Sequence, residues 1–135
     1  MKTQDVIPYI CIDGSAAAID FYKKAFSAVE LMREADAEGR IRHAQIQIGD
    51  STLMLTDPTP AFPDIRSVQS FGGSGVNLFV YLDDVDGVAA RFVAAGGTVV
   101  MELQNQSYGR SGGFKDLFGI TWWICSREAA AKSNQ

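Results

Sequence analysis

Few side chains in this sequence could do acid–base or ligand chemistry. His43 is the single histidine. With a reference pKa of about 6.5, it is the natural general base for any proton transfer the chain performs. It stands in the run Arg40 to Ile48, where Ile41, Ala44, Ile46 and Ile48 alternate with Arg42, His43, Gln45 and Gln47, with one slip near 42. In a half-buried strand such alternation puts the polar set on the face opposite the isoleucines. The two cysteines, Cys11 and Cys125, lie inside apolar runs, form no CxxC or zinc spacing, and read as buried thiols.

Composition narrows the setting. A chain of 135 residues is one domain, or two small halves sharing a core. With 47% hydrophobic and 21% charged residues it is globular rather than disordered. Lys and Arg number 12 against 16 for Asp and Glu, a net charge of −4 without a basic run, which argues against nucleic acid as a partner. No apolar run approaches the ~20 residues of a membrane span. Met1 to Asp5 includes an acid and no apolar stretch, so no secretory leader is read there and a cytoplasmic location is expected.

The elements that must position these residues come in two copies. Displaced by 70 residues and without gaps, Ile12-Asp13 falls on Leu82-Asp83, Tyr22 on Phe92, Val29 on Val99, Gly39-Arg40 on Gly109-Arg110 and Gly49 on Gly119. The first copy predicts a strand over 6–12, a helix over 16–26, a short strand over 29–34, the alternating strand over 40–48, a Gly49-Asp50 hairpin and a strand over 51–56. The second predicts a strand over 76–82, a helix over 84–95 ended by Gly96-Gly97, and a strand over 98–103. Strands over 111–115 and 120–125 then surround the 116–119 turn. Each copy is β-α-β-β-β, and the fold class is α+β. The expected organisation is one domain over 1–135: module one 5–57, a Pro- and Gly-rich connection 58–75, module two 76–127, and a polar tail 128–135, a frayed helix at most. A connection of that length is either a lid or crossover, or a plain linker.

Ile19-Asp20-Phe21-Tyr22 with Ala25-Phe26, the Asp116-x-x-Gly119 turn, Val6-Ile7-Pro8-Tyr9, Arg42-His43-Ala44 and Ile48-Gly49-Asp50-Ser51 together resemble the vicinal oxygen chelate superfamily, in its PhnB-like branch. That superfamily includes glyoxalase I, extradiol dioxygenases and bleomycin-resistance binding proteins. The resemblance spans residues 5 to 127. It implies a cup-shaped mixed sheet with helices on the outer face, and a homodimer. In metal-using members four His, Gln or Glu side chains inside the cup hold a divalent ion. Those positions fall here on Ile7, on Met54 (or Leu53 in the repeat register), on Asn77 and on Trp123. Isoleucine and tryptophan cannot ligate, methionine prefers soft ions and asparagine is a weak donor. No metal and no cofactor are therefore expected.

Alternation from those positions sets the rest of the lining. The expected ligand-binding set is Ile7, Tyr9, Met54, Phe79, Tyr81 and Trp123, with His43, Gln45 and Asn77 as polar points. Gln47 is read as facing solvent. Tyr108 and Arg110 are placed near the cup mouth, where Arg110 could meet an anion, or else serve a structural turn as Arg40 does. The outward set, Val6, Ile10, Ile12, Leu78, Val80, Leu82, Trp122 and Ile124, should pack on the helices. Three functions compete: a metal-free protein holding an aromatic or heterocyclic ligand, an antibiotic held by sequestration being one such case; a superfamily enzyme using His43 as base or in a displaced metal site; and an interaction module with a filled cup.

Overall fold

The computed structural model describes residues 4–127; the predicted tail over 128–135 lies outside the described residues. The elements follow the predicted order: β1 (Tyr9–Cys11), α1 (Ser15–Phe26), β2 (Val29–Ala35), β3 (Ile41–Ile48), β4 (Ser51–Thr56), then β5 (Leu78–Leu82), α2 (Val85–Ala94), β6 (Thr98–Gln106), β7 (Gly109–Lys115) and β8 (Thr121–Ser126). A single 3-10 turn, Val68–Phe71, interrupts the connection between the copies.

The strands form two separate four-stranded sheets, ordered β1-β4-β3-β2 and β5-β8-β7-β6. Within each, the first strand runs parallel to the fourth and the other pairs are antiparallel. Each copy is thus a β-α-β-β-β module, and the chain has the α+β fold expected. The sheets are not hydrogen-bonded into one, so within a single chain the cup is present as two walls.

One core serves both modules. Helix α1 turns Ala18, Ile19, Tyr22, Ala25 and Phe26 inward, the i, i+1, i+4, i+7, i+8 stripe of an amphipathic helix. It packs against α2 and the second sheet as well as against its own: Phe21 meets Phe92 of α2 at 5.0 Å between ring centroids, and Phe26 meets Trp122 of β8 at 4.7 Å. Ala44, Ile46, Ile48, Leu53 and Leu55 close the core from the first sheet; Phe114, Trp122 and Ile124 close it from the second. Helix α2 ends where the glycine pair predicts, with the Gly97 amide donating to the Phe92 carbonyl.

Two buried aspartates fix the joints. Asp57, just past β4, accepts from the Gly14, Ser15 and Ile41 amides, and so caps α1, which has no side-chain cap of its own. Asp116, just past β7, accepts the Tyr22 hydroxyl at 2.6 Å, the Trp122 indole N–H at 2.9 Å and the Phe118 and Ile120 amides. Through Tyr22 it ties the second sheet to the helix of the first module.

The repeat is real but not gapless. Tyr9 sits opposite Met54 and Phe79 opposite Trp123, while Gln45 and Gly113 face those same two residues across the next ladder. The structural offset is therefore 70 residues in the first strands, 68 in the third and 69 in the fourth. A five-residue turn precedes β3 and a two-residue turn follows it; in the second module the lengths are reversed. Gly39-Arg40 consequently lies in a turn whereas Gly109-Arg110 opens β7, and by register Arg110 corresponds to Arg42. The expected kinship of Arg40 and Arg110 is corrected on that ground. Val6 is also corrected: it is 99% exposed and packs on no helix, because β1 begins three residues later.

Candidate functional site

The slip near residue 42 is a β-bulge. Ala35 pairs with Ile41 and Glu34 with His43, leaving Arg42 as an extra residue on β3. The bulge lets Ile41 point into the core while His43, Gln45 and Gln47 line the opposite face. On β4, Leu53 and Leu55 are buried and Met54 is not, so the ladder selects Met54 rather than Leu53 for the open face. Gln47 shares the face of His43 and Gln45, and its amide folds back onto the Gly49 carbonyl.

The open face of the first sheet brings together Tyr9, His43, Gln45 and Met54. The Tyr9 ring meets the His43 ring edge-on at 5.2 Å. His43 Nδ1 lies 3.0 Å from the Tyr9 hydroxyl, and its Nε2 lies 3.1 Å from Gln45 Nε2. Both imidazole nitrogens are thus engaged. Cys11, read from the sequence as a buried thiol, is buried, its thiol directed at the Ile65 carbonyl of the connecting segment. Burial, then the charge of Asp57, raises the Cys11 pKa; burial raises that of Cys125. Neither is an activated nucleophile.

The open face of the second sheet carries Phe79, Tyr81 and Trp123. Phe79 and Tyr81 lie 5.1 Å apart, and the Arg127 guanidinium sits 5.3 Å from the centre of the Tyr81 ring. Tyr108 joins this face through its hydroxyl, which accepts from Ser111 at 3.2 Å. Ile7, just ahead of β1, lines a cleft of about 690 Å³ between the sheets with Phe79 and Tyr81, but also with the core-side residues Leu53, Val80 and Trp122, and neither Met54 nor Trp123 borders it. Asn77 lies exposed, just ahead of β5.

Arg110 points the other way. It lies on the helix side of β7 and holds Asp86 at the start of α2 through Nε and Nη2, with Asn105 on Nη1. That pairing raises the Arg110 pKa and lowers that of Asp86. Its place near the mouth is therefore corrected to a strand-to-helix clasp, which satisfies the structural alternative.

Trp123 lies against Gly113, where a β-carbon would stand 2.5 Å from the indole Cζ3. Glycine is needed there so that the ring can lie flat on the strand. Gly113→Ala is expected to tilt Trp123 off the sheet, at a cost of about 1–3 kcal/mol. The check is a shift in tryptophan emission together with a lower urea midpoint.

Ile7, Met54, Asn77 and Trp123 do not make a donor set for a hard or borderline cation. Among the described residues no group of three or more His, Cys, Asp or Glu side chains could hold a metal ion. Sequence reasoning did not reach Arg42, Arg127 or the apolar residues Phe62 and Ile65 of the connecting segment. The slip in alternation was the signal for Arg42.

Residues 7–124 match the Glyoxalase/Bleomycin resistance protein/Dioxygenase superfamily, and the chain belongs to that superfamily. An uncharacterised protein of Mycobacterium bovis is 41% identical over 118 residues, covering 85% of this chain and 78% of its own length. A solved gene product of Arabidopsis thaliana shares the fold with a TM-score of 0.73 at 22% identity, covering 92% of this chain and 99% of that one. TnmS3, an antibiotic binding protein from Streptomyces, superposes with a TM-score of 0.68 at 25% identity, over 93% of this chain and 98% of its own.

Proposed function

We propose that this chain is a metal-free binding protein for aromatic or heterocyclic small molecules, holding them in an apolar cup completed by a second copy. One observation carries the reading. Tyr9, Phe79 and Tyr81 are 55%, 54% and 51% exposed in a single chain. Tyr9 pairs with Met54 and Phe79 with Trp123 across the ladders, two of the positions at which the family resemblance implies metal ligands in metal-using members. Large aromatic faces turned away from a complete core need a cover, and a mainly apolar lining with a few polar groups is how small-molecule sites are built. Likeness to an antibiotic binding protein supports sequestration as the use of such a cup. The enzyme reading is less favoured, because both nitrogens of His43 are engaged by Tyr9 and Gln45.

Titration of tryptophan emission with a panel of planar antibiotics is expected to yield saturable quenching by at least one compound, unchanged by chelators. Light scattering is expected to give twice the monomer mass. A monomer at micromolar concentration, or stoichiometric zinc, nickel, iron or manganese retained after gel filtration, overturns the reading.

A further inference from the structure

At the Cys11–Thr56 end of the first sheet's open face, the connecting segment lies beside the strands and borders an open cleft of about 840 Å³. Small-ligand sites occupy roughly 300–1,000 Å³. Pro60, Phe62 and Ile65 supply an apolar wall and Tyr9 part of the floor. The cleft is formed by module one together with residues 58–65 of the connecting segment.

Its charged groups, two carboxylates and two guanidinium ions, are unequally engaged. Of the two carboxylates at its edge, Asp57 is taken up by three backbone amides, and Asp36 Oδ1 by the amides of Glu38 and Arg40. Arg40 spans Asp13 and Asp57 at 3.4 and 3.7 Å and keeps donors to spare. Arg42, brought to the cleft by the bulge, makes no side-chain hydrogen bond or ion pair among the described residues. The polar relay on the sheet adds a third donor. Gln45 donates to His43 Nε2, and the proton on Nδ1 then points at the Tyr9 oxygen, which leaves the Tyr9 O–H to donate away from His43. The cleft thus sets an apolar wall beside the unengaged guanidinium of Arg42, the spare donors of Arg40, whose Nη2 is held by Asp13, Asp57 and the Pro58 carbonyl, and a phenol O–H. Asp36 Oδ2 is the one carboxylate oxygen at its edge that takes no backbone amide. The cleft is suited to one anionic head seated on Arg42 with an apolar body against the wall.

We infer that this cleft is an anion subsite, and that the preferred ligand is a planar apolar molecule carrying a carboxylate, sulfonate or phosphate that Arg42 and Arg40 receive beside Tyr9. The inference rests on the ligand-binding reading through Tyr9, which serves both the cup and the cleft.

Two fluorescent probes with the same ring system test it: anilinonaphthalene sulfonate, and neutral phenylnaphthylamine. The wild-type protein is expected to bind the sulfonate about tenfold more tightly, the discrimination expected of one charge-assisted contact. The preference should shrink as salt screens the guanidinium charges. Arg42→Gln is expected to bring the two probes within about twofold, and Arg42→Lys to keep part of the difference. Phe62→Ser should weaken both probes together. Equal affinity of the wild-type protein for the two probes overturns the anion subsite and leaves the apolar cup standing. So does a sulfonate preference that survives Arg40→Gln combined with Arg42→Gln. Binding of neither probe overturns both readings.

Discussion

Asp116→Ala is expected to be among the most destabilising single substitutions in this chain, costing at least about 4 kcal/mol. The carboxylate is buried and accepts four hydrogen bonds, from Tyr22, Trp122, Phe118 and Ile120. Each buried donor left without an acceptor costs about 1–3 kcal/mol, and relaxation recovers only part of it. Domain stabilities are about 5–15 kcal/mol, so the variant should sit near the edge of folding. Urea denaturation followed by near-ultraviolet dichroism measures it. Asp116→Asn should lose less, since one oxygen acceptor survives. Asp86→Ala, which breaks the exposed Arg110 pair, should leave the midpoint close to wild type. A small effect of Asp116→Ala would mean that the joint between the modules is not where stability is concentrated.

The same joint sets the alkaline limit. Burial, and then the neighbouring charge of Asp116, holds the Tyr22 pKa well above the usual tyrosine value. The neutral phenol is therefore the folded form. Its contribution is fully present below the unfolded pKa of about 10 and is lost as the pH climbs from there toward the folded pKa. Stability should fall above about pH 10, and Tyr22→Phe should flatten that part of the profile while lowering stability at neutral pH.

Much of this architecture is legible in the sequence because it rests on period and turn chemistry. The 3.6-residue stripe over Ala18 to Phe26 and the glycine pair after α2 are local signals, and the structure follows both. The parity of β3 and β8 decides which side chains face the helices, and it separates Trp122 from Trp123 correctly. What sequence could not reach depends on contacts distant in the chain. Asp57 looks like a loop residue, yet it caps a helix 42 residues earlier. Asp116 reads as a turn former, while half of its bonding joins it to the tyrosine and tryptophan of the shared core. Arg110 reads as part of a loop at the mouth, whereas β6 and β7 continue through 104–113 with only a two-residue turn, and strand parity turns it to the helix side. The cleft beside 58–65 was out of reach because a segment rich in proline carries no periodicity from which a direction can be read.

Trp122 and Trp123 are neighbours in sequence and should behave as residues of two different proteins. Trp122 is 2% exposed, packed on Tyr22 and Phe26 and bonded to Asp116. Trp122→Ala should cost roughly 3–5 kcal/mol, from the lost contacts and the cavity left between β8 and α1. Trp123 is only partly buried and rests on Gly113 at the open face. Trp123→Ala removes little core packing and should cost less than about 2 kcal/mol. In ligand binding the order reverses. A stacking wall contributes about 1 kcal/mol beyond the area it buries. Loss of the Trp123 ring should therefore weaken a planar ligand by about tenfold, whereas Trp122→Phe should leave its affinity nearly unchanged. Single-tryptophan variants make the comparison direct: emission from Trp123 should respond to ligand, and emission from Trp122 only to unfolding. Equal losses of stability for the two alanine variants would mean that both sides of β8 are core. The aromatic face would then be packing surface, and the case for a small-molecule cup would lose its main support.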